Sequence, residues 1–221
     1  MNINTYRRSF AWCAAEVLFS LALNPRSGSP YFSTLKQQPL EIGLPWISFG
    51  AIRFLARHLR PDMKVFEYGS GGSTVFFANR CQSVISVEDD ALWAQRVRER
   101  LNGAKNVGLI FSATAQIQYD SNGLPFESAD LGASDYVHAF DDVAPDVVLI
   151  DGSEDWSLKQ TRRSICFRHV KPNIKRGGII ILDDSWAYLE LRAKNRAKNV
   201  RTFWGVGPCR KGCTSTDVFF Y

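Results

Sequence analysis

From residue 64 onward, short and nearly unbroken apolar runs alternate with longer segments whose apolar residues recur every three or four positions. An unbroken run of four or five apolar residues suits a strand covered on both faces, and the wider spacing suits a helix lying on such a sheet. The runs at 64–68, 84–87, 107–111, 146–150 and 179–182 are therefore read as strands, with helices at 91–101 and about 159–170. A helix ahead of the first strand is expected from Leu44, Ile47, Ala51, Ile52, Leu55 and Leu59, and Arg60-Pro61 stops it. The pattern predicts an α/β fold, with β-α units wound into a doubly wound, mostly parallel sheet. Two late runs, 201–206 and 217–220, flank a Gly-Pro-Cys-Arg-Lys-Gly connection and read as an antiparallel pair closing the sheet.

Two stretches depart from the repeat. Pro25, Pro30, Pro39 and Pro45, with Gly28 among serines, make 24–45 an irregular connection between an N-terminal helical extension and the main domain. The expected division is 1–44, helix and connection, and 45–221, main domain. Residues 118–135 are polar with interspersed aromatics, and a short helix is expected at 136–140; such an insertion is where a substrate would be touched.

Composition adds compartment and partners. A 221-residue chain that is 45% apolar and 22% charged can build a core without disulfides, and its five scattered cysteines read as free thiols in a reducing, cytoplasmic setting. Arg7-Arg8 ahead of the apolar run 10–23 superficially matches an export signal, but Glu16 interrupts the run and no cleavage pattern follows. The run is too short to span a bilayer, so a packed helix, or one making peripheral membrane contact, is expected. The net charge of +5 leaves an acidic partner open, and Arg192, Lys194, Arg196, Lys198 and Arg201 read as a solvated helix. Cys209 and Cys213 lack the second Cys or His pair that a structural zinc site needs.

Candidate chemistry collects where the expected strands end. In Val65-Phe66-Glu67-Tyr68-Gly69-Ser70-Gly71-Gly72-Ser73-Thr74 an apolar strand breaks at an acid into a glycine-rich turn, and a helix is expected to open at Ser73 or Thr74. The glycines alone suit an ordinary β-to-α turn as well as a cofactor cradle. Glu67 narrows the choice, because a carboxylate there would repel a dinucleotide pyrophosphate and favour a ligand carrying an ammonium and a sulfonium, as S-adenosylmethionine does. Glu88, about twenty residues on and followed by Asp89, is spaced to grip ribose hydroxyls, a feature that nicotinamide cofactors share. Asp151 and Asp183-Asp184 end the fourth and fifth strands, so the ligand-binding edge of the sheet is acidic.

This order of motifs, over 45–221, resembles the class I S-adenosylmethionine-dependent methyltransferases, whose domain is Rossmann-like. The resemblance implies that Glu67, Gly69, Ser70, Gly71, Ser73 and Thr74 seat the methionine part and that Glu88 and Asp89 hold the ribose. It further implies that Ser112 or Ala113 meets the adenine and that Asp151 lies beside the cofactor. Ser73 stands where the family usually has its last glycine. Asp151, Asp183 and Asp184 resemble, more narrowly, the acids that hold Mg²⁺ in the cation-dependent O-methyltransferases. Catechol-type members carry a lysine base where this chain has Glu154, which leaves Asp151, Asp155, His138 and His169 as candidates for a general base. The implied reaction is methyl transfer to a hydroxyl of a small-molecule or glycan-like acceptor.

Other readings of the residues stay open. Asp151-Gly152-Ser153-Glu154 lacks the Pro-Pro-aromatic pattern of amino-methyltransferases acting on nucleobases, and Pro208-Cys209 falls too late for a cytosine-type nucleophile. Nucleic acid is therefore not the expected partner, although the basic charge keeps an RNA methyltransferase in view. A same-fold aminopropyltransferase would also use an acid-rich site, and a non-catalytic cofactor-binding or membrane-associated module would keep the fold without the reaction.

Overall fold

The computed structural model describes residues 10–113, 118–119, 125–126, 131–154 and 161–221. Helix α1 (Phe10–Leu23) leads through a 3-10 turn at Pro25–Ser27 into two short helices, α2 (Gly28–Thr34) and α3 (Pro39–Ile42). Then come α4 (Phe49–His58), β1 (Lys64–Tyr68), α5 (Gly72–Ala78), β2 (Ser83–Glu88), α6 (Ala91–Leu101) and β3 (Val107–Phe111). A two-residue pair, β4 (Gln118–Tyr119) and β5 (Pro125–Phe126), precedes α7 (Asp135–His138) and β6 (Val147–Ile150). The chain continues through α8 (Arg162–Val170), β7 (Ile179–Leu182), α9 (Leu189–Ala193), β8 (Asn199–Val206) and β9 (Cys213–Phe220).

The main sheet has the order β3-β2-β1-β6-β7-β9-β8. Its first five strands run parallel, and β9 enters antiparallel between β7 and β8. This is the doubly wound, mostly parallel sheet with an antiparallel C-terminal pair that the apolar runs predict. Because side chains alternate across a sheet, the same strands build two cores. Val65, Leu149, Ile179 and Ile181 pack with Ile52, Leu55, Phe76 and Phe77 on one face. On the other, Phe66, Val148, Ile150 and Ile180 meet Phe140, Phe167 and Val170. Each such side chain, fully buried, contributes about 1.5–3 kcal/mol.

Helix starts follow local capping chemistry. Ser48 Oγ accepts from Ala51 N–H at 3.3 Å to open α4, and Asp90 Oδ1 accepts from Trp93 N–H at 2.9 Å to open α6. The expected helix over 44–59 thus begins only at Phe49. The proline-rich 24–45 is more ordered than its composition suggests: it carries α2 and α3, and Tyr31 and Leu40 are buried. Helix α1 packs on the antiparallel pair, with Val206 N–H donating to Ser20 Oγ at 3.1 Å and the Cys213 thiol facing Glu16 O at 3.5 Å. Leu18, Phe19 and Leu23 remain exposed. No described helix is long and apolar enough to cross a membrane.

One helical expectation is corrected. The basic stretch 192–201 is not a helix, since α9 ends at Ala193 and β8 begins at Asn199. Asp217 on β9 is buried and needs a counter-charge, which Arg192 supplies through Nε at 2.6 Å to Oδ2 and a terminal nitrogen at 3.1 Å to Oδ1.

Candidate cofactor and active site

Strand order reverses between β1 and β6, where ligands of open α/β sheets bind beyond the strands' carboxyl ends. The turns that follow these strands touch there: Gly69 has φ +88°, and a Cβ on it would lie 2.7 Å from Gly152 Cα. A cleft of about 780 Å³ opens over this contact. Residues 69–73 form its floor, Glu88, Asp89, Asp90 and Asp151 bring carboxylates to it, and Trp46, Trp93 and Arg163 line it.

Helix α5 opens at Gly72, one residue earlier than expected, and Thr74 Oγ1 accepts from Gly71 N–H at 2.9 Å. Ser73 is therefore the second residue of the helix and lines the cleft, so the hydroxyl that meets the turn belongs to Thr74. Gly72 seats this helix against the N-terminal segment, since a Cβ there would fall 2.2 Å from Leu44 O and 2.3 Å from Pro39 O. Both obstacles are backbone, so Gly72→Ala should cost about 3 kcal/mol in urea unfolding. A loss under about 1 kcal/mol would show that the 39–44 segment gives way freely.

Glu67 is fully buried beneath the turn and does not line the cleft. It lies opposite Ser86 in register, and its Oε1 accepts from Ser86 Oγ at 2.6 Å and from Thr74 Oγ1. Its Oε2 has no hydrogen-bond partner among the described residues. Burial pushes the carboxyl up to about 7, and the Ser86 and Thr74 hydrogen bonds pull it back only in part. Glu67, expected to meet the ligand directly, is instead a buried carboxyl beneath the turn that burial shifts toward its protonated form.

Glu88 stands on the cleft and organises it. Its Oε2 accepts from Ser70 N–H at 3.0 Å and Ser70 Oγ at 2.7 Å, while Oε1 accepts from the N–H groups of Asp89 and Asp90 at 3.0 and 3.1 Å. Burial raises this carboxyl against those bonds. Trp93 Nε1–H donates to Ser70 O at 2.8 Å and pins the turn from the other side. Ser112 and Ala113 line a neighbouring concavity together with His138, and that histidine is not on the wall of the main cleft. Asp155 lies outside the described residues.

Asp151, Asp183 and Asp184 do come together, but around a guanidinium. Arg163 is 2.8 Å from Asp151 Oδ1, 3.2 Å from Asp184 Oδ2 and 4.0 Å from Asp183 Oδ2, and it donates to Gly152 O at 2.8 Å. Arg210 adds contacts of 3.7 Å to Asp184 and 4.0 Å to Asp183. Burial works against the Arg163 charge, yet Asp151, then Asp183 and Asp184, hold its pKa above the ordinary value. Asp183, which accepts from Thr216 Oγ1 at 2.8 Å, is pushed up by burial and by repulsion from Asp184 and Asp151. Asp184 is held low against burial by Arg163 and Arg210. With the Arg163 guanidinium standing among them, these carboxylates do not form a set whose ligand atoms converge within 4.8 Å, so they do not fit the oxygen cage that Mg²⁺ requires. Glu154, at the lysine position of the catechol-type enzymes, caps α8 instead, accepting from Arg162 and Arg163 N–H at 2.8 and 3.0 Å.

Several residues of this site escaped the motif reading: Pro39, Trp46, Trp93 and Arg163. Arg163 had a signal, because Arg162-Arg163 begins a helix, where positive charge opposes the helix dipole and calls for acidic partners. Arg162 finds its acid in Asp89 and also donates to the Ser153 hydroxyl, tying the end of β2 to the end of β6.

No family model matches the sequence, and no curated protein matches it. Solved structures do match its fold. An O-methyltransferase from Bacillus cereus, in complex with SAH, is 13% identical and superposes with a TM-score of 0.54 over 94% of this chain and 91% of its own. An rRNA methylase from Streptococcus thermophilus is 14% identical, with a TM-score of 0.53 over 76% of this chain and 92% of its own. Precorrin-6y C5,15-methyltransferase from Geobacter metallireducens is 16% identical, with a TM-score of 0.52 over 76% and 87%. With its strand order, switch-point cleft and these superpositions, the chain has the fold of the class I methyltransferases.

Proposed function

We propose that this protein is an S-adenosylmethionine-dependent methyltransferase that acts on a hydroxyl of a small-molecule or glycan-like acceptor without a divalent cation. The observation that carries the reading is the charge of the cleft, where Glu88, Asp89, Asp90 and Asp151 outnumber Arg163 around a glycine turn. Such a wall attracts a sulfonium and an ammonium and repels a pyrophosphate. The likeness in fold to an O-methyltransferase solved with SAH supports the reading further.

S-adenosylmethionine, when bound, supplies a methyl group on sulfur that an acceptor oxygen displaces in line. The protein's part is to align the reactants and take a proton. The 69–73 turn would seat the methionine end, Glu88 and Asp89 the ribose, and Ser112 and Ala113 the adenine end. Asp151 is the favoured proton acceptor, because it lines the cleft and burial raises its carboxyl against the pull of Arg163. Trp46 lies under the Arg210 guanidinium, 5.0 Å from ring centroid to Cζ, and with Pro39 would face the acceptor.

Calorimetric titration with S-adenosylmethionine and its decarboxylated form tests the cofactor. Binding that prefers the intact form is expected; no binding of either sinks the enzyme reading, and preference for the decarboxylated form indicates aminopropyl transfer. Once an acceptor is found, turnover is expected to survive exhaustive chelation. Loss of activity that Mg²⁺ restores would return the Asp151, Asp183 and Asp184 set to metal binding.

A further inference from the structure

Away from the cleft, α7, the residue following its C-terminal turn, and α8 bring two imidazoles to one carboxylate. His138 Nδ1 lies 2.6 Å from Asp141 Oδ2, and His169 Nε2 lies 2.5 Å from Asp141 Oδ1. The two rings approach edge to face, with centroids 4.7 Å apart and planes at 70°. One ligand atom from each residue falls within 4.8 Å of the others, and this is the one set of three His, Cys, Asp or Glu residues with such spacing among the described residues.

We propose that His138, Asp141 and His169 bind a divalent transition cation, Zn²⁺ foremost. Two imidazoles and a carboxylate without a thiolate suit Zn²⁺, Co²⁺ and Ni²⁺ and not Mg²⁺ or Ca²⁺. Zinc bonds of ~2.0–2.2 Å require the imidazole nitrogens to close up and the carboxylate to withdraw by about an ångström. The side chains have that latitude, being 45%, 43% and 20% exposed for His138, Asp141 and His169. The same exposure leaves the remaining coordination position to water, as three-ligand zinc sites do.

The cation joins two elements. It fastens α7 to α8, the helix that presents Arg162 to Asp89 and Arg163 to the acids beside the cleft. None of its three residues lines the main cleft, and of the three only His138 borders the neighbouring concavity that holds Ser112 and Ala113.

The test is Zn²⁺ titrated into the chelator-stripped full chain by calorimetry, with Co²⁺ absorption as a second probe. The expected result is one Zn²⁺ per chain with a dissociation constant of about 10 µM or tighter, unaffected by millimolar Mg²⁺. Asp141→Asn and His169→Ala, each checked for folding by circular dichroism, should weaken it by about 10- to 100-fold. Bound Co²⁺ should give visible ligand-field bands without the near-ultraviolet band of thiolate ligation. Absence of binding, unchanged affinity in both variants, or a thiolate band would overturn the proposal. Should a variant fail to fold, diethyl pyrocarbonate labelling of the unaltered protein decides: Zn²⁺ must protect both His138 and His169, and equal labelling with and without Zn²⁺ refutes the site.

Discussion

Replacing Arg163 with methionine is expected to destabilise the protein by about 3–5 kcal/mol, the loss typical when one partner of a buried ion pair is removed. Its side chain is only 7% exposed and stands within 4.0 Å of Asp151, Asp183 and Asp184, so the substitution leaves three carboxylates facing one another. Arg210 cannot replace it, being 3.7 Å or more from its nearest carboxylate oxygens. The deficit should shrink as pH falls, because protonation relieves the burial cost and the repulsion that already lift Asp183. Urea unfolding of Arg163→Met, Asp183→Asn and the double variant measures this, and the double variant should recover part of the loss. Additive single effects, or a loss under about 1 kcal/mol, would mean that the acids do not depend on this arginine.

The second large effect is a change in the pH dependence of stability in Glu67→Gln. The folded chain raises the Glu67 carboxyl from 4.5 to about 7, so it favours the protonated form. That contribution is fully present below the unfolded value of about 4.5 and is lost as pH rises through about 7. Glutamine cannot ionise, and its oxygen can still accept from Ser86 and Thr74. Relative to the unaltered protein, Glu67→Gln should therefore gain about 3 kcal/mol between pH 4.5 and pH 8, since each pH unit separating the folded and unfolded values is worth about 1.4 kcal/mol. Unfolding free energies of both proteins across that range provide the measurement. A difference that stays flat with pH would show that Glu67 is ionised at little cost, with water or the turn amides satisfying its second oxygen.

What the sequence discloses about this fold is what neighbouring residues decide among themselves. Apolar runs such as 147–150 and 179–182 declare buried strands, and the step from Gly69 to Glu88 spans a single β-α-β unit, so the turn and its acid are legible together. Which strand lies beside which is decided by packing, and no local pattern announces that β9 enters ahead of β8. The acids were legible as strand ends, yet their partner was not. Arg163 meets Asp183 and Asp184 only because β6 and β7 are adjacent, and an Asp-rich edge reads as a metal site until a guanidinium is seen within it. Glu67 was legible as an acid beside the glycine turn, but its depth below the turn depends on Ser86 across the strand pair and on Thr74 in the next helix. The His138, Asp141 and His169 cluster draws on helices separated by β6, and spacing along the chain carries no trace of it.

The place of β9 has a consequence for how the protein is made. A ribosome delivers β8 before the strand that must lie between it and β7, so the half-finished sheet presents an open apolar edge until residues 213–220 emerge. Helix α1, the earliest described element to leave the ribosome, docks on β8 and β9 and must wait for them. The first and last described elements are thereby joined by contacts of very high sequence separation, which cannot form until residues 213–220 are in place.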